Sequence, residues 1–84
     1  MNTTTDTASR AAALFVSTVS MFDRVTDARV VAAIDEALWM HGGSQGCAAE
    51  VAQAYGDHPE TAAPRMRWAR RVVERLDAPC LVAA

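Results

Sequence analysis

Residues 47–73, CAAEVAQAYGDHPETAAPRMRWARRVV, contain two helical patterns separated by a glycine-marked turn, and the rest of the chain is organised around them. Cys47 to Tyr55 is alanine-rich and free of breakers, and Gly56 is expected to end it in the left-handed conformation that closes many helices. The turn Gly56-Asp57-His58-Pro59 then leads into a second helix. Either Pro59 takes its first position, where a missing N–H costs nothing, or the regular helix starts near Thr61 with Pro64 inside its first turn. The spacing favours the second arrangement. From Pro64 to Asp77, at 100° per residue, Met66, Trp68, Ala69, Val72, Val73 and Leu76 fill one arc, while Arg67, Arg70, Arg71, Glu74 and Arg75 fill the other. Arg65 alone among the arginines projects toward the apolar side.

Working back toward the start, residues 1–8 are polar and threonine-rich, and fraying is expected there. Asp6 or Ser9 can cap a first helix running to about Phe22, with Leu14, Phe15, Thr18, Val19 and Phe22 on one face. That stripe serves either an internal core or a second copy of the chain, with Phe15 and Phe22 as anchors. Thr26 is the natural cap of the next helix, about Asp27 to His41, with Val25 and Val30 placed as a hydrophobic staple. Val30 or Val31, Ile34, Ala37 and Leu38 face inward. Trp39 and Met40 extend the apolar surface beyond one stripe, so this helix is expected to be central. Gly42 and Gly43 close it, and Ser44 is a candidate cap for the helix beginning near Cys47.

The 84 residues suffice for one domain, here residues 9–78, and β-branched or aromatic residues never alternate over a strand length. The expected fold is all-α, a small four-helix domain with a helix-turn-helix at 47–76. Residues 79–84, Pro79 onward, form an apolar tail. Its Val82-Ala83-Ala84 end is similar to the alanine-ending tags recognised by bacterial unfoldase-proteases.

All eight basic residues are arginine. That bias fits a GC-rich genome, such as that of an actinobacterium or one of its phages. The net charge of −2 is unevenly distributed. Residues 1–58 carry three arginines against seven acids, and residues 59–84 five against three. Any nucleic-acid contact must therefore be local to the second half. Two cysteines are too few for a disulfide scaffold, so Cys47 and Cys80 are expected to be reduced in a cytoplasmic protein. No stretch approaches the roughly 20 apolar residues of a membrane span.

Chemistry is sparse. His41, Cys47, His58 and Cys80 lack metal-ligand spacing, so no metal is expected. Gly42-Gly43-Ser44-Gln45-Gly46 lacks the lysine of a phosphate loop. Asp35 and Glu36 are adjacent on a helix and point in different directions, which excludes a paired-carboxylate site. Neither catalytic residues nor a cofactor is indicated, and an enzyme is not expected.

A helix-turn-helix needs a small residue where its helices cross, a glycine where the chain reverses, and a reading helix whose first turns enter the major groove. Ala52 with Val51 and Tyr55, then Gly56, then Thr61 meet those needs in order. From Glu50 to Arg70 the chain resembles the helix-turn-helix of sigma factor region 4, chiefly the short extracytoplasmic-function type. That pattern runs E-[IV]-A-x-x-x-G-x-x-x-x-T-V-x-S-R-L-x-R-A-R. Glu50, Val51, Ala52, Gly56, Thr61, Arg65, Met66, Ala69 and Arg70 fall in register, whereas Ala62, Pro64 and Trp68 depart from it. There is no room for a core-polymerase-binding region, so the resemblance implies a stand-alone module. It implies Thr61 and Arg65 as groove-facing residues and Arg67, Arg70 and Arg71 as phosphate contacts on double-stranded DNA. Each good base contact is worth ~1–3 kcal/mol of discrimination.

Two functions follow as expectations. One is a homodimeric bacterial or phage transcription regulator that reads DNA with residues 61–76. The other is a small helical adaptor that binds a host or regulatory protein without touching DNA.

Overall fold

The structure, a computed structural model, describes residues 3–77, with side chains from Thr7 onward. The described residues form four α-helices: α1 (Thr3–Val16), α2 (Asp27–Met40), α3 (Ser44–Asp57) and α4 (Pro59–Asp77). The fold is all-α, as the absence of strand periodicity implied. Met1, Asn2 and the tail from Ala78, including Pro79, Cys80 and the Val82-Ala83-Ala84 end, lie outside the described residues.

The hub is α1 rather than α2. It packs against all three other helices, while α2 and α4 scarcely meet. Its composition explains this: Ala11 and Ala13 are buried beside Leu14 and Phe15, and alanines let neighbouring backbones come close on several sides. α2 does meet two neighbours, α1 and α3, but its surplus apolar residues stay largely in solvent. Trp39 is 86% exposed and Met40 66%.

The first helix also starts and stops elsewhere than expected. It begins at Thr3, upstream of the Asp6 and Ser9 caps, and ends at Val16 instead of near Phe22. Serines close it. Ser17 donates from both its backbone N–H (3.1 Å) and its hydroxyl (2.6 Å) to the Leu14 carbonyl, and Phe22 N–H donates to the Ser20 hydroxyl. Leu14, Phe15 and Val19 from the expected stripe are buried. Thr18 is exposed, and Phe22 stands 87% exposed in the loop before α2. With Phe15 in the core, the expected Phe15–Phe22 dimer anchor cannot form as a unit.

Local signals hold at α2. The Thr26 hydroxyl accepts from Arg29 N–H at 3.1 Å, and Val30 N–H reaches the Thr26 carbonyl at 3.0 Å. At the far end Gly42 takes φ +78°, and Gly43 N–H returns to the Leu38 carbonyl at 2.7 Å. These are the marks of a Schellman closure.

The α3 boundaries are corrections. Gly43, at φ +92°, is the N-cap, and Ser44 is the first helical residue rather than the cap. Gly46 in the first turn faces the His41 carbonyl so closely that a Cβ would sit 1.4 Å from the oxygen. Gly56 does not reverse the chain. It lies inside α3, and only Gly42 and Gly43 have positive φ among the described residues. His58 alone separates α3 from α4, and its carbonyl accepts from Thr61 and Ala62 N–H. Thus α4 begins at Pro59, the arrangement the spacing disfavoured, and Pro64 lies within it, leaving the Glu60 carbonyl without its helical donor.

Candidate functional site

Of the five residues assigned to DNA, Arg67, Arg70 and Arg71 stand together on the outer face of α4. All three are exposed, and none forms an ion pair with any described residue. Glu74 lies among them on the wheel without pairing to them. The face is an open ridge of arginines, flanked by Glu60 at its start and Arg75 at its end. Arg75 reaches Asp27 at 4.0 Å.

Thr61 and Arg65 are elsewhere. Arg65 sits roughly 120° or more around the helix from all three, and Thr61 roughly 120° from Arg67 but about 80° from Arg71. Thr61 is exposed, and its hydroxyl donates to the His58 carbonyl at 3.2 Å. The guanidinium of Arg65 points inward and is committed to the end of α1. Its Nε donates to the Phe15 carbonyl at 2.7 Å. Its Nη2 donates to the carbonyls of Val19 (2.9 Å), Ser17 (3.1 Å) and Leu14 (3.4 Å). The same cation lies 4.9 Å from the Trp68 ring centre and 5.8 Å from that of Phe15. Burial pulls the Arg65 pKa down, yet a guanidinium so lowered stays charged at neutral pH. The last carbonyls of a helix lack internal partners and carry the negative end of its dipole. Arg65 therefore caps α1 from another helix, and it is not available to a DNA groove in this arrangement.

The bracing half of the expected motif differs too. Ala52 is exposed, so it does not occupy a helix crossing, and the inward side of α3 is carried by Cys47, Val51 and Ala54. Tyr55 lies at the margin, stacked on Phe15 with centroids 6.3 Å apart. Cys47 is fully buried, its Sγ 3.7 Å from the Ala37 carbonyl, and desolvation followed by the nearby Glu50 pushes its pKa up. It is a packed thiol with no nucleophilic character.

A second surface was only half visible in the sequence. On α2, Val30, Ala33, Ile34 and Ala37 are buried. Trp39 is two residues past Ala37, about 200° around the helix, and so faces away from the core. It shares that solvent side with Ala28, Ala32 and Asp35, all exposed, so the carboxylate of Asp35 stands on the same line. The wheel alone could have placed it there, because Trp39 lies opposite the Val30–Ala37 stripe.

Among the described residues no three metal-ligating side chains converge, and no helix is long and apolar enough to cross a membrane. No family model matches the chain, and no curated protein or solved structure matches it.

Proposed function

We propose that the chain is a small helical adaptor that docks on another protein through the outer face of α2. The observation that carries this reading is the exposure of Trp39, 86%, on an outer face of α2 that it shares with Ala28, Ala32 and the carboxylate of Asp35. A tryptophan held in water forgoes the burial of a large apolar surface, and interface anchors are enriched in this residue. Phe22 and Met40 add to the exposed apolar area. The reading is tested by capturing the full chain and its Trp39→Ala variant from a bacterial lysate and measuring the binding of whatever protein is recovered in stoichiometric amount. Truncating such an anchor costs about 2 kcal/mol or more, roughly a thirtyfold loss of affinity. Recovery that ignores Trp39, or recovery of nucleic acid alone, would overturn it.

A second reading, DNA contact through α4, is favoured by the unpaired ridge of Arg67, Arg70 and Arg71. With Arg65 turned inward, the contact proposed here is to phosphates, and the motif is a helix pair with a one-residue link. Binding to DNA fragments at about 50 mM salt, lost in the Arg70→Ala, Arg71→Ala double variant, supports it. Absence of binding at that salt removes it.

A further inference from the structure

The loop before α2 and the C-terminal half of α4 enclose a groove of about 390 Å³, the size of a small-molecule site. Its cationic groups come from two parts of the chain. Arg71 and Arg75 lie one turn apart on α4, and Arg24 reaches the same groove from the loop. Trp68 and Val72 line it beside them. That lining is held by the core: Val72 is buried, and the half-buried Trp68 ring carries the Arg65 guanidinium at 4.9 Å. The loop is held as well. Asp23 N–H donates to the Ser20 carbonyl at 3.2 Å on one side of Arg24, and Val25 packs on the core on the other.

All three arginines are exposed, on a chain whose net charge is −2. Like charges one turn apart on a helix oppose each other, and a third cation brought in from a loop adds to that cost. Two carboxylates stand close by. Asp27 lies 4.0 Å from Arg75 Nη2, and Asp23 lines the groove without pairing to any described residue. Arg24 and Arg71 likewise have no ion-pair partner among the described residues, which leaves their guanidinium forks for an outside acceptor.

We propose that this groove binds the phosphoryl group of a small molecule, with Arg24 and Arg71 as its two forks and Arg75 as a supporting charge. A guanidinium donates two parallel N–H groups to two oxygens of one anion, so forks from two elements grip a tetrahedral oxyanion from two sides. Inorganic diphosphate and a nucleotide both offer that chemistry, and a nucleotide base would have Trp68 beside it. The site is independent of docking through Trp39. It differs from the α4 ridge in needing Arg24 and in not needing Arg70, which lies about 100° around the helix from Arg71.

The test is a heteronuclear NMR titration of the full chain with sodium pyrophosphate and, separately, adenosine diphosphate. Ionic strength is held at about 0.1 M with sodium chloride, so that general screening is matched. The expected result is saturable shifts at residues 23–25 and 71–75, with a Kd of about 1 mM or below. Arg24→Ala and Arg71→Ala should each weaken binding about tenfold, while Arg70→Ala changes it less than about twofold. Asp23→Asn should tighten it, because that carboxylate repels the anion. These side chains are exposed, so thermal melts of the variants should match wild type and exclude misfolding as the cause. Tighter binding of adenosine diphosphate, with a shift of the Trp68 indole N–H, assigns the groove to nucleotides; equal affinity assigns it to the inorganic anion. Shifts that climb without saturating, or binding indifferent to Arg24→Ala, overturn the site.

Discussion

Arg65 meets Phe15 twice. Its Nε donates to the Phe15 backbone carbonyl at 2.7 Å, and its guanidinium carbon lies 5.8 Å from the centre of the Phe15 ring. One side chain of α4 thus finishes the backbone of α1 and covers part of its core.

Removing that side chain leaves the carbonyls of Leu14, Phe15, Ser17 and Val19 without this donor. Hydrogen bonds to a charged group are worth about 1.5–3 kcal/mol, so Arg65→Ala is expected to cost about 3 kcal/mol. In a domain of this size the melting temperature should fall by at least about 10 °C. Arg65→Lys should recover only part of the loss, since an ammonium cannot reproduce the planar fork. A thermal or urea melt checks both, and an Arg65→Ala cost under about 1 kcal/mol would refute the capping role.

Two glycines should respond in opposite directions to the same substitution. A Cβ on Gly46 collides with the His41 backbone, so Gly46→Ala is expected to destabilise by several kcal/mol or to require a shift of the α2–α3 turn. Gly56 has helical geometry and open space around its Cβ position, so Gly56→Ala should stabilise by about 0.5–1 kcal/mol. If Gly56→Ala were instead disruptive, Gly56 would be a reversal point after all, and the α3–α4 link described above would be wrong.

Cys47 makes stability fall at high pH. Its folded pKa is raised, so the folded state holds the proton where the unfolded chain has lost it. The stabilising difference is intact below the ordinary thiol pKa of about 8.5 and is lost as pH climbs from there through the folded value. Melts of the chain carrying Cys80→Ser, with and without Cys47→Ala, should diverge in slope above about pH 8.5. Equal slopes would count against a buried thiol. Alkylation of Cys47 in the native protein should be correspondingly slow.

The cap of α2 offers a local check. Thr26→Ala should cost about 1 kcal/mol in a urea titration, since the Arg29 N–H loses its acceptor. A change below about 0.3 kcal/mol would mean that water replaces the hydroxyl at no cost.

Thr26 and Gly42 were legible in the sequence because each acts on its own neighbours, through one hydroxyl and one left-handed residue. The inward faces of α2 and α4 were legible for the same reason, as a period of 3.6 needs no knowledge of the partner. What escaped was decided at a distance. Val16 ends α1 because serines in the following turn and a guanidinium from α4 take up its carbonyls, and no window around residue 16 contains Arg65. The inward turn of Arg65 was visible on the wheel, but its task was not. Gly56 misled because glycine before a polar turn usually ends a helix, whereas here α3 runs on to Asp57 and His58 makes the whole connection. Ala52 misled likewise, since small residues suit either a crossing or an exposed helix surface.

The hub, α1, is completed by groups far along the chain from it. The carbonyl of Phe15 meets its donor fifty positions later, and Thr7 and Arg10 find their carboxylate only at Asp77. Until α4 has been synthesised, Leu14 and Phe15 have no complete shelter, so these helices should stay loose until α4 is available to pack on α1. A fragment of residues 1–57 should accordingly show little helix by circular dichroism, and a cooperative melt from it would argue against so late an assembly.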